Sequence, residues 1–202
     1  DLSQLDEAQA SASPRDATIR VIQKLHKNDP NSANTRGSTC TMLCAQYGNE
    51  NCMRKLLDEA PECYVDVNAA GRDALMLAAM NGHDGCVRTL LEHASSLEHR
   101  QRRPSGASPA PGRLSRLLER ADRNGWSALF FACHWGFDRV VQELLAVERH
   151  YSGVEGVVGR LISQADRDRC TVLMVACHHG DMVVTRALMR TRPCARTHAG
   201  HL

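Results

Sequence analysis

The chain has 202 residues, 43% of them apolar but only 4% aromatic, with a formal net charge of +2. So even a balance excludes a strong global field for nucleic acid, and the shortage of rings leaves core packing to Ala, Leu, Val and Met. The length allows one domain or one short array of repeats. Nine cysteines are an odd number, and most fall inside apolar helical patterns. They read as reduced, buried thiols of a cytoplasmic protein rather than as a disulfide framework. The longest apolar run, Ala74 to Met80, is far too short for a bilayer, which needs about 20 residues. No basic-then-apolar signal segment opens the chain. It starts without Met, which reads as a fragment of a longer protein.

In chain order, residues 1–14 are polar and predict a disordered N-terminal segment. Residues 15–33 predict a capping helix, because Ile19, Ile22 and Leu25 share one stripe able to cover the end of a stack. An array follows over residues 34–190. Its first unit, near 37–66, opens with Gly37-Ser-Thr-Cys-Thr-Met-Leu-Cys-Ala-Gln-Tyr-Gly48. The second, near 71–98, opens with Gly71-Arg-Asp-Ala-Leu-Met-Leu-Ala-Ala-Met-Asn-Gly82. The third, near 125–150, has Gly125-Trp-Ser-Ala-Leu-Phe-Phe-Ala-Cys-His-Trp-Gly136, and the fourth, near 169–190, Arg169-Cys-Thr-Val-Leu-Met-Val-Ala-Cys-His-His-Gly180.

In each unit Thr39, Asp73, Ser127 or Thr171 is placed to cap a short helix. The trailing glycine ends it, since glycine enters the left-handed region cheaply. A second helix carries an apolar pair: Leu56-Leu57, Leu90-Leu91, Leu144-Leu145 or Leu188-Met189. Two such short helices cannot bury their own faces, so stacking supplies the core.

The trailing glycines are 34, 54 and 44 residues apart, so the second and third junctions hold insertions, near 99–121 and 147–165. The first is rich in Pro, Ser and Gly over His99–Gly112 and predicts a flexible loop. Leu114, Leu117 and Leu118 then suggest a short helix lying back on the array. In the second, Val154, Val157, Val158, Leu161 and Ile162 have helical spacing, weakened by Gly153, Gly156 and Gly159. Residues 191–202 form a polar tail.

These phrases resemble the ankyrin repeat family over roughly residues 34 to 190. The family's Thr-Pro pair is loosened to Thr39-Cys40, Asp73-Ala74, Ser127-Ala128 and Thr171-Val172. Its Leu is kept at Leu75, Leu129 and Leu173 but is Thr41 in the first unit. Its inner His is replaced by Met42, Met76, Phe130 and Met174, and only His83 matches its final His. The Ala-Leu-Met wording is similar to a divergent variant found in repeat-rich protist proteins. The resemblance implies an all-α solenoid of about four helix pairs behind an N-terminal capping helix, with two extended inter-repeat loops. It also implies a non-catalytic scaffold that binds another protein through its concave and finger face. An alternative is a targeting or regulatory segment of a larger enzyme such as a protein kinase.

Positions that face outward in the family carry over as the candidate partner-binding residues. They are Arg36 and Tyr47 in the first unit, and Arg72 and Met80 in the second. The third supplies Arg123, Trp126, His134 and Trp135, and the fourth Arg167, His178 and His179. Trp, Tyr and Arg are the types that dominate interface energies. The competing reading packs both tryptophans on the insertion, against Leu114 and Leu117, and leaves the Arg row solvated.

Cys133-His134 and Cys177-His178-His179 lack the paired short spacing of a zinc motif, and Cys133 and Cys177 fall on core positions. No metal or other cofactor is expected. There is no phosphate loop, G-x-S-x-G or H-E-x-x-H, so no catalytic residue is assigned. Arg102-Arg103-Pro104-Ser105 resembles a basophilic kinase site, making Ser105 a candidate for phosphorylation. The same basic loop suits an acidic protein surface better than nucleic acid, because no aromatic residue is interleaved for base stacking.

Overall fold

The computed structural model describes residues 33, 37–101, 112–151, 154 and 156–191. The capping helix expected over 15–33 and the tail expected over 191–202 lie outside them, Ala33 and Thr191 apart. So do Arg36 and Ser105. Among the described residues the fold is all-α, and the one extended pairing is an isolated bridge between Ala165 and Thr171.

Four antiparallel helix pairs form: α1 Cys40–Tyr47 with α2 Glu50–Glu59, and α3 Ala74–Met80 with α4 Asp84–Gln101. Between the second and third pairs lies α5 Arg113–Glu119. The third pair is α6 Ala128–Trp135 with α7 Asp138–Leu145, followed by α8 Val147–His150 and α9 Val157–Ser163. The fourth is α10 Val172–His178 with α11 Met182–Thr191. The first helices of the pairs stack as one column, α1 on α3 on α6 on α10, and the second helices as another, α2 on α4 on α7 on α11.

The two columns have different sequences because they meet different surroundings. α3 is apolar on every side and α6 on all but the His134 position, and both are buried along most of their length. The outer helices keep one apolar stripe, which in α7 is Val140, Val141, Leu144 and Leu145. Each first helix begins at a capping side chain. Asp73 Oδ1 accepts from the Met76 amide at 2.9 Å, and Thr39, Ser127 and Thr171 do the same for Met42, Phe130 and Met174 at 3.4–3.5 Å. Each such cap contributes about 1 kcal/mol.

Close stacking depends on what faces the trailing glycines. A Cβ on Gly82 would lie 2.6 Å from the Phe137 ring of the next unit. One unit earlier His83 takes the place of Phe137, with its Nε2 3.1 Å from the Gln46 carbonyl oxygen. The first unit's Thr41, where the other units have Leu or an equivalent apolar residue, is fully buried and donates its hydroxyl to Cys63 Sγ at 2.9 Å. That donation keeps a buried polar group satisfied.

The insertions build a third set of helices. α5 buries Leu114, Leu117 and Leu118 and packs on α4, while α9 packs on α5, α10 and α11. α9 buries Val157, Val158, Leu161 and Ile162, and starts at Gly156 in the left-handed region. The insertions therefore leave the two main columns unbroken.

One expectation needs correcting at the end of the stack. Cys177 occupies the position of the fully buried Cys133 yet is exposed, because among the described residues no further helix pair lies on α10.

Candidate functional site

The turns that lead into the helix pairs are built alike. In the second unit Asn68 Oδ1 accepts from the amides of Ala70 and Arg72. In the third, Asp122 Oδ1 accepts from Asn124 and Trp126, and in the fourth Asp166 Oδ1 accepts from Asp168 and Cys170. Each side chain thus closes a tight finger on its own backbone, which Asn and Asp do readily. The fingers then pair with one another, Arg123 N donating to Ala70 O at 3.3 Å and Arg167 N to Asn124 O at 3.1 Å.

The second carboxylate oxygen of each aspartate reaches back to the preceding finger. Asp122 Oδ2 accepts from Arg72 Nε and Asp166 Oδ2 from Trp126 Nε1, both at 3.2 Å. Arg72 is further placed 5.0 Å over the Phe131 ring, and its Nη1 donates to Met80 Sδ at 3.6 Å. Arg72 and Met80 are therefore tied into the frame, with Arg72 ion-paired to a buried carboxylate.

Trp126 is half-buried, with ring centroids 4.7 Å from Phe130, 5.2 Å from Phe131 and 4.9 Å from His134. Its neighbours are those rings and Asp166, an arrangement that leaves the indole as a support. Trp135 differs: it is 57% exposed and touches His134 edge-on at 5.2 Å. His134 also meets His179 at 5.1 Å, and His179 meets His178 at 5.4 Å. So Trp126, His134, Trp135, His179 and His178, drawn from two units, form one continuous run of rings. Arg123 and Arg167 are exposed at the finger tips beside it, whereas Tyr47, also exposed, stands at the far end of the array on α1.

Burial first, then the neighbouring His179 and His178, hold the His134 imidazole below its ordinary 6.5. Burial pushes the Cys133 thiol up to about 12, so this cysteine packs as a neutral side chain. Among the described residues no group of three His, Cys, Asp or Glu side chains is arranged to hold a metal ion.

Sequence reasoning missed Asn68, Asp122 and Asp166 as the frame of the site. Their signal was present in Asp122-Arg-Asn-Gly125 and Asp166-Arg-Asp-Arg169, where an Asx residue stands three places before the turn's left-handed position. It also missed a cavity of about 250 Å³ lined by Tyr64, Val65, Arg113, Arg116, Leu117 and Arg120. Arg113 is ion-paired there with Glu62, and Arg120 donates to the Val65 carbonyl. No sequence signal joins residues so far apart.

Comparison with known proteins gives the same assignment as the geometry. No curated protein matches the chain. The family model for ankyrin repeats matches residues 9–101 in three copies, beginning well ahead of Gly37. Paired helices in two stacked columns, fingers hydrogen-bonded in a row and a glycine-ended first helix in each unit agree with that match: residues 9–101 are similar to ankyrin repeats, and the helix pairs beyond residue 101 stack in the same way.

Proposed function

We propose that this chain is a non-catalytic scaffold that binds another protein through its concave and finger face. Ankyrin repeats are in general protein–protein interaction modules. The observation that carries the finer reading is the ring run of His134, Trp135, His179 and His178, edged by the exposed Arg123 and Arg167. An exposed indole on a rigid support is the kind of group that anchors interfaces at low entropic cost. Arg72, Met80 and Trp126 contribute by holding that surface in place. Two exposed guanidinium groups at the rim suit a partner with an acidic surface. A reducing, cytoplasmic setting is part of the reading, supported by the free, largely buried cysteines.

The test compares the chain with a Trp135→Ala, His178→Ala variant in affinity capture from cell lysate, after circular dichroism has shown equal helicity. Both residues are exposed, so the fold should survive. A partner captured by the first and lost by the second supports the assignment. Equal capture by both moves the site to Tyr47 or elsewhere on the array.

A further inference from the structure

The cavity of about 250 Å³ between residues 62–65 and α5 is basic, and both of its walls are fixed. On one wall Tyr64 is buried and packs edge-on against His93 at 5.5 Å. His93 is itself placed by the Pro61 carbonyl oxygen, 2.9 Å from its Nε2. The other wall is α5, anchored by the buried Leu114 and Leu118. Arg113, Arg116 and Arg120 stand at i, i+3 and i+7, so they share one helix face, and all three line the cavity. Like charges at that spacing repel one another, and an anion beside them relieves the repulsion.

The three guanidinium groups are committed to different degrees. Arg113 Nη1 donates to both carboxylate oxygens of Glu62, at 2.7 and 2.6 Å, and Arg113 also bonds the Tyr64 hydroxyl. Arg120 Nη1 donates to the Val65 carbonyl and lies 4.0 Å from the buried Asp73 carboxylate. Arg116 is exposed, with no ion pair or hydrogen bond to any described residue. Glu119, the only acid on α5, is taken by Arg160, with Nε at 2.7 Å and Nη2 at 2.6 Å. Even with Glu62 and Asp73 both ionised, three guanidinium groups face two carboxylates. What remains for a ligand is the whole Arg116 fork, the other N–H groups of Arg120 and the hydroxyl hydrogen of Tyr64.

The adjoining sequence supplies no carboxylate for these donors: residues 99–112, which lead into α5, contain three arginines and no Asp or Glu. Donors from three side chains suit a group with three acceptor oxygens and more than one negative charge. A phosphate monoester has both, whereas a carboxylate has two oxygens and one charge. Arginine forks pair with phosphate through two parallel hydrogen bonds. The cavity is smaller than the roughly 300–1,000 Å³ of pockets that enclose a whole small ligand, so a head group enters it and the rest of the ligand stays outside. We propose that the cavity of Arg116, Arg120 and Tyr64 binds a phosphate monoester, with the Arg113–Glu62 pair as its rim. It shares no residue with the ring run of the third and fourth units.

The test titrates the full chain calorimetrically with N-acetyl-O-phosphoserine amide, with glycerol 3-phosphate and with N-acetylglutamate amide. The proposal expects one phosphate ester bound per chain, and the glutamate amide bound about tenfold more weakly or not at all. Arg116→Gln, at an exposed position and checked for equal helicity by circular dichroism, should weaken phosphate binding about tenfold. Arg116→Lys should restore only part of that loss, because an ammonium lacks the fork. Arg54→Gln, an exposed arginine on α2 outside the cavity, should leave binding unchanged. Tighter binding of the phosphoserine amide assigns the phosphate to a protein side chain, and tighter binding of glycerol 3-phosphate assigns it to a small metabolite. Equal losses from Arg116→Gln and Arg54→Gln overturn the proposal, because the general field is then what attracts the anion. Equal affinity for the glutamate amide overturns it in favour of a carboxylate. Half a phosphate per chain places the site between two copies and overturns it too. So does the absence of saturable binding, including the case in which a carboxylate from residues 1–32 already fills the cavity.

Discussion

Trp126 donates its indole N–H to Asp166 at 3.2 Å, across the junction between the third and fourth units. Arg72 makes the same contact to Asp122 one unit earlier. In both cases the residue after the leading glycine is held by the carboxylate that shapes the next finger. The finger side is consequently a row of interlocked turns, and Arg72 and Trp126 take their positions from the unit beyond.

Removing either donor should loosen the row by different amounts. Trp126→Phe keeps the ring but leaves Asp166 Oδ2 to water at a half-buried site, and should cost about 1 kcal/mol. Arg72→Met strands Asp122, whose side chain is 1% exposed, and should cost about 2–3 kcal/mol. Urea unfolding monitored by circular dichroism gives both values. Equal costs would mean that burial of the accepting carboxylate does not set the strength of the contact.

Gly82 and Gly136 share a left-handed backbone, at φ 73° and 69°, but not the same neighbour. Alanine at either meets the backbone penalty of about 1–2 kcal/mol. At Gly82 it also runs into Phe137, whereas nothing lies within 4 Å of a Cβ on Gly136. Gly82→Ala should therefore be the more destabilising of the two in thermal melts. Adding Phe137→Ala should shrink the extra loss at residue 82.

Asp73 is fully buried, with its carboxyl pushed up to about 6 from 3.8, chiefly by burial. The Met76 amide and Arg120 oppose that shift without cancelling it. Because the folded state holds the proton more tightly than the unfolded chain, this group adds stability as pH falls from above 6 towards 3.8. Asp73→Asn keeps a good cap without the charge. It should be at least as stable as the parent at pH 7 and should flatten the stability profile across that window. Asp73→Ala removes the cap and should cost about 1 kcal/mol. Denaturation midpoints between pH 4 and 7 check both.

His134 should titrate below 6.5 in a proton NMR pH series, and His179→Gln should move its midpoint upward by removing a neighbouring positive charge. A depressed imidazole supplies stability that is complete above the unfolded value of about 6.5 and declines as pH falls below it. The parent should lose stability from this source below pH 6.5, and the His179→Gln variant should lose less.

The sequence by itself determined the repeating units. Capping side chains at Thr39, Asp73, Ser127 and Thr171, glycines nine residues later, and an apolar pair eight and nine residues beyond those are local signals. Helix formation is settled within a few turns of chain, so the four helix pairs and the all-α class could be read directly. The fate of individual side chains was settled elsewhere. Trp126 and Trp135 are one residue type nine positions apart on one unit, yet the first supports Phe130 and Phe131 and the second projects into solvent. Met76 and Met174 sit in the same phrase, and only the first is buried. Asp122 and Asp166 look like ordinary turn residues until the preceding finger lies against them. In a stacked array, burial and pairing belong to the contact between units. Only the tertiary structure decides which side chains each contact covers.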